Sequence, residues 1–151
     1  MAKLPSVDKV LGFEIVPQAI RDAQENAKEN GLSGKTHFFA GDAAQTLPDE
    51  IRGRKLDTAI IDPPRKGAAQ EVLRALMRAD PHRICYVSCN PATLARDIGI
   101  LSEQYSVETV QPLDMFPWTE HVETVCQLVL RKPVTHVNID VNVDELVQDK
   151  R

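Results

Sequence analysis

Ser88-Cys89-Asn90-Pro91 sets a thiol directly ahead of a helix start. Asn is a strong N-cap and Pro suits the first helical position. Cys89 would then meet the positive end of a helix dipole, which stabilises a thiolate. A cysteine so placed, at the carboxyl end of a strand, has the setting of a nucleophile. The competing reading is a buried structural cysteine, and Cys85 and Cys126, inside strand patterns, fit that one. Glu123 opens the last apolar run and shares a face with His121 through even spacing, although a solvated carboxylate is its default reading. Glu14 ends one strand pattern, where an acid can accept hydrogen bonds from both ribose hydroxyls of a nucleoside cofactor or stand solvated. Asp42, after Gly41, can receive an adenine amino group or cap the next helix. In Asp62-Pro63-Pro64-Arg65 the two prolines hold Asp62 and Pro63 extended and leave carbonyl oxygens without paired N–H groups, a stiff lip or a plain turn.

The elements that must hold these groups alternate. Val10 to Ile15 reads as a strand, and Pro17 starts a helix with Ile20, Ala23 and Ala27 on one face and Gly31 at its close. Thr36 to Ala40 is the next strand. Leu47-Pro48 and Gly53 mark a poorly defined connection. Leu56 to Ile61 is mostly apolar, which predicts a strand buried on both faces. A helix over 68–79, a strand from Arg83 to Ser88, a helix from Pro91 to Gln104, and strands Val107 to Leu113 and Glu123 to Leu130 follow. Such a βαβα series predicts a parallel sheet covered by helices, with ligands gathered beyond the carboxyl ends of the strands. Glu14, Asp42, Asp62 and Cys89 all fall at such ends.

After Pro133 the pattern changes. Val137, Ile139, Val141 and Val143 alternate with Asn138, Asp140, Asn142 and Asp144, which predicts an edge strand able to pair within this chain or with a second copy. The same residues imitate a calcium loop but lack its central Gly and closing Glu. The division is therefore residues 1–132 as the main body and 133–151 as a tail.

Composition excludes several classes. The 151 residues are 42% apolar and 26% charged, ordinary for one globular domain. No apolar run reaches the roughly 18 residues of a membrane span, and no signal-peptide core is present, so the chain reads as cytoplasmic and not membrane-bound. Three cysteines argue against a disulfide framework. Cys85 and Cys89, four apart in a strand, would lie roughly 13 Å apart, too far to share a zinc ion. A net charge of −4 does not suggest a freestanding nucleic-acid binder, and phosphate contacts would need local basic groups, Arg52, Arg54 and Lys55 or Arg65 and Lys66, whose default reading is solvated surface.

Taken together, Gly12-Phe13-Glu14, Gly41-Asp42-Ala43, Asp62-Pro63-Pro64-Arg65-Lys66-Gly67, Ser88-Cys89-Asn90-Pro91 through Arg96-Asp97, and Asp114-Met115-Phe116-Pro117 through His121-Val122-Glu123 resemble the RNA uracil-C5-methyltransferase family, over about residues 8–132. The resemblance implies an α/β, Rossmann-like S-adenosylmethionine methyltransferase fold with a doubly wound sheet. It also implies a transfer or ribosomal RNA substrate. Cys89 would add to C6 of a uracil, and Glu123 would remove the C5 proton. Glu14, Asp42 and Asp62 would contact S-adenosyl-L-methionine; Arg65 and Asn90 would face the substrate. Such proteins carry a Gly-rich first strand and turn, preceded by an aromatic-x-Gln element. Neither has a counterpart here, and the absent strand would be central. Two other readings stand beside this one: an amino-group methyltransferase of the same fold, which would not need the thiol, and an inactive interaction module.

Overall fold

A computed structural model describes residues 2–115, 117–119 and 122–131. Strand β1 (Val10–Glu14) leads into α1 (Pro17–Glu29), β2 (Thr36–Ala40), α2 (Ala43–Glu50), β3 (Thr58–Ile61), α3 (Gln70–Ala79), β4 (Arg83–Ser88), α4 (Pro91–Leu101), β5 (Tyr105–Leu113) and β6 (Glu123–Leu130). His121 and the alternating tail segment Val137 to Val143 lie outside the described residues.

Local chemistry explains the boundaries. Pro17 starts α1, which buries Ile20 and Ala27, two turns apart on one face. The segment around Pro48 is a helix rather than the loose connection expected from Leu47-Pro48 and Gly53. Asp42 caps it through a bond from the Ala44 N–H, and Leu47 and Ile51 are buried, which outweighs the one backbone bond that Pro48 forfeits. Helix α3 ends where Asp80 turns left-handed, with Pro81 next.

The strands form two ladders. β1 and β2 pair in parallel, Val10 opposite Thr36 through Glu14 opposite Ala40. The second sheet has the order β3-β4-β6-β5. Here β3 and β4 are parallel, whereas β6 runs antiparallel to both β4 and β5. The expected all-parallel sheet is therefore mixed, because β6 pairs antiparallel with the strand that precedes it in the chain. No ladder joins β1 to β3 among the described residues, and the division falls where the resemblance puts the absent central strand. Helix α2 instead bridges the two, packing on both β1 and α3.

The core lies under the four-stranded sheet. Leu73, Ile84, Tyr86, Leu101, Cys126 and Leu128 are fully buried, and each large apolar side chain so placed is worth about 1.5–3 kcal/mol of burial. Strand β4 throughout, and β6 up to Val129, alternate between half-buried and buried positions, so one face is covered by helices and the other only partly. Strand β3, expected to be buried on both faces, instead exposes Thr58 and Ile60, the latter at 55%, which lie on one face of the sheet, and it pairs only with β4 among the described residues.

Candidate active site

Four polar groups stand at the carboxyl ends of the parallel strands: Glu14 closes β1, Asp42 follows β2, Asp62 follows β3 and Cys89 follows β4. The first two are neighbours, since Glu14 pairs with Ala40 and its carbonyl accepts from the Gly41 N–H at 3.0 Å. Glu14 Oε1 accepts from the Val16 N–H at 2.8 Å, and Asp42 Oδ1 from the Ala44 N–H at 2.9 Å. Each carboxylate is exposed and has one oxygen engaged on its own following turn. Asp42 thus performs the capping role weighed for it.

Around Cys89 the geometry is tighter. The Ser88 hydroxyl accepts from the Asn90 N–H at 3.1 Å and donates to the Asn90 carbonyl at 3.0 Å, which bends the chain sharply at the half-buried cysteine. Asn90 then caps α4, its Oδ1 accepting from the Ala92 N–H at 3.0 Å, and Pro91 is the first helical residue. Asn90 Nδ2 reaches the other way and donates to the Arg65 carbonyl at 3.3 Å, which the Thr93 hydroxyl also contacts at 3.2 Å. The lip from Asp62 to Lys66 is therefore tied down onto the start of α4. The carbonyl oxygens of Arg65 and Lys66 are what α4 grips.

The tie continues inward. Asp97, with no exposed surface, accepts from the Tyr86 hydroxyl at 2.5 Å, the Ala68 N–H at 2.8 Å and Arg96 Nε at 2.9 Å. Arg96 Nη2 also donates to the Lys66 carbonyl at 3.0 Å. Burial, chiefly, and the bond to the Asp97 carboxylate raise the Tyr86 phenol well above its ordinary range, so it stays a donor. Gly67 fits because it has no side chain. Its φ is +83°, and a Cβ there would collide with Arg96 Nη2 and lie 2.6 Å from Asp97 Oδ2.

Glu123 is half-buried at the start of β6. Ser88 pairs with Thr124, so Cys89 and Glu123 each lie one step beyond the same antiparallel pair, at the same end of the sheet. The other two thiols are elsewhere: Cys85 and Cys126 sit inside β4 and β6, and burial pushes the Cys126 thiol up. A shallow recess lined by Gln24, Ser33 and His37 lies between α1 and the start of β2, at the opposite end of the strands.

Residues 47–132 match the family model for tRNA (uracil-5-)-methyltransferases, more than half of the chain. The chain belongs to the tRNA (uracil-5-)-methyltransferase family. It is 47% identical over 124 residues to an uncharacterized RNA methyltransferase of Halalkalibacterium halodurans, covering 81% of this chain and 27% of that protein. A second such protein, from Clostridium acetobutylicum, is 50% identical over 119 residues, covering 78% and 26%. The structure of the Pyrococcus abyssi tRNA (uracil-54, C5)-methyltransferase, in complex with S-adenosyl-L-homocysteine, superposes with a TM-score of 0.67 at 38% identity, covering 80% of this chain and 29% of that one. The chain thus spans about a quarter of the length of the curated relatives it matches.

The matched region of this uracil-5-methyltransferase relative contains Asp62, Arg65, Cys89, Asn90 and Glu123, while Glu14 and Asp42 precede it. Asp97 enters the sequence pattern only at the end of the motif that runs to Arg96-Asp97, and Tyr86 and Thr93 are not singled out there. A signal was present. Leu94, Asp97 and Leu101 recur at three- and four-residue spacing, so an acid stands on the buried stripe of α4.

Proposed function

We propose that this chain is the catalytic portion of an S-adenosylmethionine-dependent methyltransferase acting on C5 of a uridine in transfer or ribosomal RNA. The β4–β6 register supports the reading, because Cys89 and Glu123 each lie one residue beyond the terminal Ser88–Thr124 pair, at the same end of the sheet. Opposed residues such as Ser88 and Thr124 have Cα atoms about 5 Å apart, so side chains just beyond that pair can reach adjacent carbons of one pyrimidine ring.

The strand-end acids suit the cofactor. Glu14 keeps one carboxylate oxygen clear of its turn and is exposed, as a ribose-binding acid must be; Asp42 has the same disposition toward an adenine amino group, and Asp62 faces the same end. The bound cofactor would supply an electrophilic methyl group, its sulfur keeping the electron pair of the broken sulfur–methyl bond so that S-adenosyl-L-homocysteine is left. Cys89, at the N-terminus of α4, forms a bond from Sγ to C6 of the uracil. The π electrons of the C5–C6 bond move to C5, which becomes the nucleophile toward that methyl group. Glu123 then takes the C5 proton, the C5–C6 double bond re-forms, and Sγ leaves as thiolate. Arg65 and Asn90, on the lip and the cap beside Cys89, serve to position the base, which must be splayed out of any helix to reach them.

The test is a pair of substitutions read by covalent trapping on uridine-containing RNA with cofactor present. Cys89→Ala should give no protein–RNA adduct. Glu123→Gln should accumulate one, because the proton that permits elimination stays on C5, and turnover should fall by about 10²–10⁴-fold. An adduct that persists in Cys89→Ala refutes the assignment.

A further inference from the structure

The loop between β5 and β6 carries the chain's single tryptophan, Trp118, with its whole side chain in solvent at 102% relative exposure and its backbone left-handed at φ +70°. Both features are costly. An aromatic of this size ordinarily buries about 150–250 Å², and left-handed backbone is strained for a non-glycine residue. Strain of this kind collects where a surface has work to do. Leu113, Met115 and Val122 on the same loop are also exposed, at 40%, 63% and 36%. The loop springs from Leu113 and Glu123, which pair directly, so it rises from the end of the sheet that carries Cys89. The exposed Arg65 and Lys66 stand at that same end.

We infer that Trp118 is a stacking platform for an RNA base flanking the target uridine. An uncovered aromatic ring at the same end of a sheet as basic groups is a combination that suits single-stranded nucleic acid: the ring takes a base face while the cations take phosphates. A splayed uridine leaves its neighbours unstacked, and an aromatic face at the rim replaces the lost stacking. This inference rests on the RNA reading above.

The single tryptophan makes the test direct. Labelled single-stranded RNA about ten nucleotides long, with uridine among purines, is titrated in roughly 50 mM salt and followed by anisotropy. Unlabelled RNA is followed in parallel by tryptophan emission. Expected are binding by the intact chain with quenched Trp118 emission, affinity weakened about tenfold in Trp118→Ala, and affinity within about threefold of the parent in Trp118→Phe. Because the side chain is fully exposed, neither variant should move the melting temperature. Binding without quenching, or equal affinity in Trp118→Ala, overturns the platform and leaves the proposed function standing. No RNA binding by the intact chain overturns both. Quenching that grows with protein concentration in the absence of RNA would assign Trp118 to contact between copies and also overturns the inference.

Discussion

The two ends of the proposed site are built differently. At the β3–β4–α4 end, an internal carboxylate, a phenol, a guanidinium and three backbone groups lock the Asp62–Gly67 lip to the turn that carries Cys89. At the β1–β2 end, Glu14 and Asp42 are exposed, each bonded only to the turn that follows it, on a two-stranded ladder in which no residue is buried. The covalent chemistry would be performed by the rigid end, and the nucleoside held by the lighter one. That ordering is physically sensible. A nucleophile and base must meet adjacent carbons within tenths of an ångström, whereas hydroxyl recognition tolerates a mobile carboxylate.

The contrast is broken most severely at Asp97. Replacing it with Ala strands the Tyr86 hydroxyl and the Ala68 N–H in the interior and frees Arg96 from the lip. The cost should be roughly 3 kcal/mol of folding stability, measured by denaturant unfolding. Glu14→Ala, at an exposed strand end, should change stability by less than about 0.5 kcal/mol. Hydrogen exchange would sharpen the point. In Asp97→Ala the Ala68 amide should lose its protection while β2 amides keep theirs. Equal costs for the two substitutions would mean that the two ends are not differently built.

Much of this difference was written in the sequence, but not all of it. Ser88-Cys89-Asn90-Pro91 announces its own bend and helix start, because capping is decided by residues next to one another. The strand-end acids were legible for the same reason. The antiparallel return of β6 was not, since both runs are apolar and pattern alone carries no direction. Helix α2 was hidden by Pro48, a local signal overruled by the burial of Leu47 and Ile51 against distant partners. The exposure of Ile60 was missed because an apolar run tells what would favour burial, not whether a neighbour is there to provide it. Asp97 was visible only as an acid on an apolar stripe, and its partners lie 11 and 29 positions away.

Two glycines sharpen the comparison at smaller scale. Gly67 and Gly53 share left-handed backbone, φ +83° and +69°. A Cβ at Gly53 meets nothing within 4 Å, so Gly53→Ala should cost about 1 kcal/mol of backbone strain alone. At Gly67 the same strain comes with a collision against Arg96 and Asp97, and Gly67→Ala should cost about 2–3 kcal/mol. Only the second should slow covalent trapping at Cys89, because only it shifts the lip. Thermal unfolding of both variants separates strain from collision, and indistinguishable melting shifts would show that the lip yields freely.

The smallest expected effect concerns alkaline pH. Tyr86 and Tyr105 are the chain's two tyrosines, and both are buried in the four-stranded body rather than near β1 and β2. Desolvation, and then the nearby Asp80 carboxylate, push the Tyr105 phenol up to about 12. Its hydroxyl donates to the Pro81 carbonyl at 3.0 Å. A raised phenol pKa means that the folded state keeps a proton which the unfolded chain releases near pH 10. Between the two values the folded state binds more protons, so stability falls as pH rises through that window and is fully present below it. Tyr105→Phe cannot titrate. It should lose about 1 kcal/mol at neutral pH through the missing hydrogen bond, and then lose less than the parent as pH climbs from about 10 toward 12. Denaturant midpoints for both proteins across that range give the comparison. If the two curves stay parallel, the alkaline loss belongs to other groups, and the buried phenol of Tyr105 ionises without opening the body that encloses it.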